Sequence, residues 1–154
     1  ACHYGYPIDR IIQKFKYEQQ LHFQNLLAGA LLELRLPKIQ AITPMPISTE
    51  RLLERGYNQS LIVAKIMAKQ LNIPIWQPLI RLQQHSQKGL SRLERLDHIE
   101  QQFQISTTSK LRYRRVLILD DVVTTGSSIH ALKLKLEELG CQKIYAACIA
   151  SAES

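Results

Sequence analysis

Cysteine is scarce. Cys2, Cys141 and Cys148 are an odd number with no Cys-x-x-Cys spacing, which supports neither a disulfide framework nor a cysteine zinc site and leaves reduced packing residues. Aromatic residues make up 6% of the chain, so base-stacking platforms for nucleic acid are not evident. Acidic residues are outnumbered by 20 basic to 13, a net charge of +7. Anionic partners follow: phosphorylated metabolites, nucleic acid or acidic lipid, among which charge alone does not choose. No apolar run approaches the roughly 20 residues that cross a bilayer, and no secretory pattern opens the chain. A cytoplasmic protein with no transmembrane segment is expected. There is no Gly-x-x-x-x-Gly-Lys, which removes a Walker-type nucleotide site. His85 and His98 lack metal-ligand spacing and read as surface histidines. No internal repeat or low-complexity segment appears.

What is present is an ordinary globular mixture, 154 residues with 45% hydrophobic and 21% charged, enough for one core and one domain over residues 1–154. Asp9 is placed to cap a helix carrying Ile11, Ile12 and Phe15. A second helix from about Leu21 to Leu34 sets Leu27, Leu31 and Leu34 on one stripe. Ile39 to Met45 predicts a short apolar strand stopped by Pro44 and Pro46. Arg51 and Arg55 follow, four apart: in a helix they share a face, and in a loop Gly56 lets them fold around an anion. Forked guanidiniums suit a pyrophosphate better than lysines do. Solvated arginines balanced by Glu50 and Glu54 are the plainer reading. Asn58 is placed to cap the next helix, with Leu61, Ala64, Ile66, Ala68 and Leu71. Ile73 to Ile80, broken by Pro74 and Pro78, makes at best an edge strand. Arg81 to Glu100 is a long polar connection, the kind that is functional or mobile inside a compact domain. Phe103 and Ile105 give a weak strand, and Ile144 to Ile149 a buried one.

The most informative stretch runs from Val116 to Ile129. Val116 to Leu119 is a continuous branched run, expected of a parallel strand covered on both faces. Asp120 and Asp121 end it, where open α/β sheets bind ligands. Thr124, Thr125, Gly126, Ser127 and Ser128 then lead into a helix from about Ser128. Gly126 tolerates positive φ, and a helix start adds unpaired N–H donors and partial positive charge, so this is a cradle for an anion. The two carboxylates repel a phosphate and must serve hydroxyls or a divalent cation beside it. A ligand with a phosphate at one end and a diol or metal nearby satisfies both halves. A structural acid cluster with a hydroxyl-rich helix cap is the competing reading. Arg112, Arg114 and Arg115 precede the strand at its amino end, opposite this pocket, and read as solvated or partner-facing. A phosphate-receiver domain is not expected, since 34 residues of this sequence follow Asp120 and such a domain needs several βα units there.

A hydrophobic strand, two acids, two residues and Thr-Thr-Gly-Ser-Ser resembles the phosphoribosyl pyrophosphate (PRPP) motif of type I phosphoribosyltransferases. Pro44-Met45-Pro46, Arg51 and Arg55-Gly56-Tyr57-Asn58-Gln59 narrow the likeness to the competence protein F (ComF) family. A weaker block runs from Gln87 through Gly89-Leu90-Ser91 to Arg95 and Phe103. The resemblance implies an α/β fold of type I phosphoribosyltransferase kind: a mainly parallel twisted sheet flanked by helices, with a small flexible hood. It implies that Asp120 and Asp121 hold the ribose 2′ and 3′ hydroxyls of PRPP, directly or through Mg²⁺. It further implies that Thr124, Thr125, Gly126, Ser127 and Ser128 enclose the 5′-phosphate and that Arg51 and Arg55 form the pyrophosphate loop. Lys88, Arg92 and Arg95 are its flexible-loop candidates, closing over the pyrophosphate to exclude water. The family's small cysteine-rich zinc module is not in this chain. Purine-salvage relatives place an acid where Thr124 stands, which speaks against a purine acceptor and leaves the acceptor open. ComF proteins are associated with natural competence, so single-stranded DNA and the competence machinery are expected partners. The alternatives are a small-molecule salvage or biosynthetic transferase, and a non-catalytic module that senses PRPP or binds single-stranded DNA.

Overall fold

The computed structural model describes residues 2–3, 7–17, 23–82, 102–106 and 111–151. In chain order the elements are β1 (Cys2–His3), α1 (Ile8–Tyr17), α2 (Phe23–Leu32), β2 (Ala41–Pro44), α3 (Thr49–Arg55), α4 (Gln59–Leu71), β3 (Leu79–Arg81), β4 (Phe103–Ile105), β5 (Arg115–Val123), α5 (Ser127–Glu138) and β6 (Lys143–Ser151). Four strands form a parallel sheet in the order β1, β6, β5, β2. The α/β class and the parallel sheet follow the sequence expectation. A separate antiparallel pair, β3 with β4, stands beside it.

β5 explains the layering. Successive side chains of a strand alternate between faces. Leu117 and Leu119 pack with Leu27, Leu31, Val63 and Met67 of α2 and α4, while Val116 and Ile118 pack with Leu132 and Leu136 of α5 and with Trp76 and Phe103. All four strand residues are at most 1% exposed, so the unbroken apolar run of the sequence is the mark of a strand with helices on both sides. Trp76 closes the second layer by meeting Tyr113 edge to face, with centroids 5.3 Å apart. The outer edge of β2 is covered by the 74–76 segment, where Pro74 O accepts from Ile42 N and Trp76 N donates to Ile42 O.

Several boundaries differ from the sequence reading. Asp9 lies inside the first turn of α1 and does not cap it; there its charge still meets the positive end of the helix dipole. α2 ends at Leu32 and Leu34 is 40% exposed, outside the apolar stripe. β2 begins at Ala41, later than Ile39, and ends at Pro44, stopped by proline as expected. Arg81 ends a strand and is not the start of a polar connection. α5 begins at Ser127, one residue early. Cys141 and Cys148 are free thiols, buried and half-buried. Among the described residues no helix is long and apolar enough to cross a membrane.

Candidate functional site

The parallel ladder between β2 and β5 runs from Ala41 opposite Val116 to Pro44 opposite Leu119. Met45 N donates to Leu119 O at 2.8 Å, and from there the chain leaves the sheet. β5 goes on alone on that side while still paired with β6 as far as Val123 opposite Ser151. Asp120 and Asp121 stand in this overhang. Each carboxylate is half-buried and accepts from the next backbone amide, Asp121 N at 2.9 Å and Val122 N at 2.8 Å. They do not point into packed core.

Two turns bring cations to the same place. Ser48 caps α3 by accepting from Arg51 N, and Gly56 ends that helix in the left-handed region at φ 78°, a conformation glycine adopts without steric cost. Of the two readings left open for Arg51 and Arg55, the helical one holds, one turn apart. Asn58 caps α4 as expected, its Oδ1 accepting from Leu61 N at 3.2 Å. Its Nδ2 also donates to Met45 O at 3.0 Å, which ties the end of β2 to the start of α4. The result is a cleft of about 190 Å³ whose walls include Arg51, Arg55, Asp120, Asp121 and Ser128. Burial pushes the Tyr57 phenol up, against the pull of Arg55.

Beyond Asp120 a smaller hollow of about 50 Å³ is walled by Thr124, Thr125, Gly126, Ser127 and Ser128. Gly126 is the N-cap of α5, at φ 70°, and makes no side-chain cap hydrogen bond. The hydroxyl-rich run therefore does not cap its own helix through residue 126: Thr125 Oγ1 and Ser127 Oγ bond to each other at 3.0 Å. A helix start uncapped by a side chain keeps N–H donors and partial positive charge for a ligand. Asp120, Val122 and Ser128 wall both hollows, so cleft and cradle are neighbours across them.

Sequence reasoning thus brought Arg51, Arg55, Asp120, Asp121 and the 124–128 turn to one region, and the structure gathers them there. Lys88, Arg92 and Arg95 lie outside the described residues. Arg112, Arg114 and Arg115 are exposed at or before the amino end of β5, away from the cleft. Two residues were missed. Arg81 lines the cleft: Leu79 is buried, Ile80 is 50% exposed and Arg81 returns to the inner face by the period of two, an alternation that shows only once the strand is paired. Gln59, 3% exposed, also lines the cleft; its Oε1 accepts from Arg55 Nη1 at 3.4 Å, and its Nε2 is buried without a partner.

Comparison with known proteins bears on the family and the fold. A family model described as Phosphoribosyl transferase domain matches residues 58–154. The chain is 32% identical over 155 residues to Competence protein F of Haemophilus influenzae, covering 92% of this chain and 67% of that protein. It is 32% identical over 99 residues to Competence protein ComFC of Bacillus subtilis, covering 64% of this chain and 39% of that protein. The chain therefore spans two thirds of one relative's length and well under half of the other's. Among solved structures it resembles glutamine phosphoribosylpyrophosphate amidotransferase from B. subtilis complexed with ADP and GMP, with TM-score 0.57 and 17% identity over 82% of this chain and 25% of that one. Adenine phosphoribosyltransferase from Thermoanaerobacter pseudethanolicus gives TM-score 0.53 and 14% identity over 88% of this chain and 84% of that one. At these identities the likeness speaks for the fold.

Proposed function

Because the chain belongs to the competence protein F family and carries the type I phosphoribosyltransferase fold, we propose that its cleft and cradle bind PRPP with Mg²⁺, as the donor site of a phosphoribosyltransferase serving natural competence. The observation that carries this reading is the shared wall: Asp120 stands between an arginine-lined cleft and a hydroxyl-lined helix start. A pentose with a phosphate on one side and a diphosphate on the other has that order of charges.

Each group of residues then has one task. The 124–128 turn surrounds the 5′-phosphate with amides and hydroxyls. Asp120 and Asp121 accept from the ribose hydroxyls. Arg51 and Arg55 face the diphosphate, where forked donors match its oxygens. As the bond to the diphosphate loosens and the sugar gains positive charge, carboxylates each held by the backbone amide of the following residue favour that charge without rearranging.

The donor set suits magnesium of one particular kind. Among the described residues no three His, Cys, Asp or Glu side chains cluster as a cage, and Mg²⁺ commonly takes one or two carboxylates with waters and substrate phosphates instead. Asp120 and Asp121 would hold it, directly or through the ribose. When bound, the ion supplies neutralisation of the diphosphate charge. Thr124 is exposed and carries no carboxylate, so nothing at that position deprotonates an acceptor.

Calorimetry with PRPP and Mg²⁺ tests the reading on the native chain and on Asp120→Ala with Asp121→Ala. Binding by the native chain and its loss in the double variant are expected; equal binding by both would misplace the site. Pyrophosphate release on offering candidate acceptors tests transfer. Binding of single-stranded DNA that weakens steeply with salt tests the competence role.

A further inference from the structure

The surplus of positive charge is gathered at one rim of the sheet. Residues 34–49, 101–119 and 139–152 hold seven Lys and Arg and no Asp or Glu, a charge equal to the +7 of the whole chain. These segments lead into β2, β5 and β6. The backbone of Arg114 ties the three strand starts together: Gln40 Oε1 accepts from Arg114 N and Arg115 N at 3.0 Å each, and Arg114 O accepts from Gln142 N at 2.8 Å and Lys143 N at 2.9 Å. The main chain is thus fixed while the side chains of Lys38, Arg112, Arg114, Arg115 and Lys143 are exposed. Arg115 stands level with Lys143 on the neighbouring strand, with backbones about 4.8 Å apart, and like charges so placed destabilise a sheet. Helix dipoles do not account for the cluster, because α4 and α5 carry Lys69 and Lys135 in their own last turns. Two exposed leucines belong to the same acid-free segments, Leu34 at 40% and Leu111 at 64%, each followed directly by an arginine. Tyr113, beside these arginines, is half-buried and set edge-on to Trp76, which turns its ring away from stacking on a base.

We propose that the amino-end rim of the sheet docks on the anionic surface of a lipid bilayer, held by these cations, with Leu34 and Leu111 entering between the headgroups. Cations with exposed leucines among them match a charged headgroup layer over an apolar interior, whereas a nucleic-acid backbone calls for the charge alone. The rim lies at the far end of the strand from the cleft: Asp120 is five residues beyond Arg115 on β5, roughly 17 Å at about 3.3 Å per residue. A molecule resting on this rim keeps its cleft turned away from the membrane and open to its ligand. The inference stands apart from what the cleft binds.

Flotation of the full chain with lipid vesicles tests this. Vesicles of equal parts phosphatidylcholine and phosphatidylglycerol are expected to carry the chain and phosphatidylcholine alone is not, and added salt is expected to release it. Arg114→Gln with Arg115→Gln and Lys143→Gln is expected to weaken partition by at least about thirty-fold, since each cation near such a surface contributes about five-fold. Arg10→Gln with Lys14→Gln and Lys65→Gln removes the same charge from exposed positions on α1 and α4 and is expected to weaken it by less than about five-fold. Leu111→Gln is expected to lower partition several-fold with the salt dependence unchanged. Should the first triple variant unfold, single Arg115→Gln and Lys143→Gln, each expected to lose about five-fold, carry the test. Failure to float with the mixed vesicles, equal losses from the two triple variants, or an indifferent Leu111→Gln would each overturn the inference. So would release of the chain from the vesicles by single-stranded oligothymidylate at a small fraction of the lipid phosphate concentration, which would give the rim to a nucleic acid.

Discussion

Pro44 stands level with Leu119, and that pair is the last rung between β2 and β5. Asp120 is the next residue along β5, so the acids begin where one neighbouring strand has ended. The overhang leaves them half-buried in a cleft wall, so on the proposed reading their charges serve the ligand and contribute little to packing. Asp120→Asn with Asp121→Asn keeps an acceptor oxygen for Asp121 N and Val122 N. The expected outcome is a change in unfolding free energy below about 1 kcal/mol and a loss of PRPP and Mg²⁺ affinity of at least about ten-fold. Urea titration and calorimetry on the same preparation check both parts. A variant that unfolds early but binds normally would reverse the assignment.

Gln59 carries a buried Nε2 with no partner while its Oε1 takes Arg55 Nη1. An unsatisfied buried amide destabilises by about 1–3 kcal/mol. Gln59→Leu removes it, so stability is expected to hold or rise by about 1 kcal/mol. Arg55 loses one of its anchors in the same step, and pyrophosphate affinity is expected to fall several-fold. Denaturant midpoints and binding titrations should move in opposite directions; a fall in both would make Gln59 a packing residue.

Gly126 sits at φ 70°, and a Cβ built there meets nothing within 4 Å. Space does not oppose Gly126→Ala, but the left-handed conformation does, at roughly 1–2 kcal/mol. A loss of about that size by chemical denaturation is expected, with weaker binding of ribose 5-phosphate as the α5 start relaxes. A neutral effect on stability would mean that the turn does not hold this conformation in solution.

Cys141 is buried and donates to Tyr113 O at 3.0 Å. Burial, opposed by Arg112 and reinforced by Glu137, pushes its thiol from 9.0 up to about 11. Below that window both folded and unfolded chains keep the proton. Between the two values the unfolded chain releases it and the folded chain does not, so stability falls as pH rises through the window and Cys141→Ala should fall less steeply. Urea midpoints of the two proteins over that range give the difference directly. Parallel curves would show that the thiol titrates alike in both states.

The acid pair and the turn were legible in the sequence because each is a local pattern, an apolar run and a punctuating glycine; Arg51 and Arg55 read more plainly as solvated, and only the family resemblance set them at the site. Arg81 was harder to read because the short strand that carries it holds prolines in its approach, and its partner strand is twenty-odd residues away. Pairing with Phe103 set its face, and no local window contains that pairing. Gln59 was named in the sequence only as the end of the Arg55-Gly56-Tyr57-Asn58-Gln59 block, with no part in the site. Its burial came from α4 packing its Val63 and Met67 against Leu117 and Leu119, which turns the start of that helix toward the cleft.

By itself the sequence determined a covered parallel strand, its acidic end and the cradle behind it, since side-chain volume, glycine freedom and hydroxyl content act within a few residues. Only the tertiary structure decided that β2 stops at Pro44 while β5 continues, and that the β3–β4 pair brings Arg81 and Gln102 against Ser128. Those outcomes depend on where separate strands end relative to one another. That register is fixed by packing on both faces of the sheet, and no single segment encodes it.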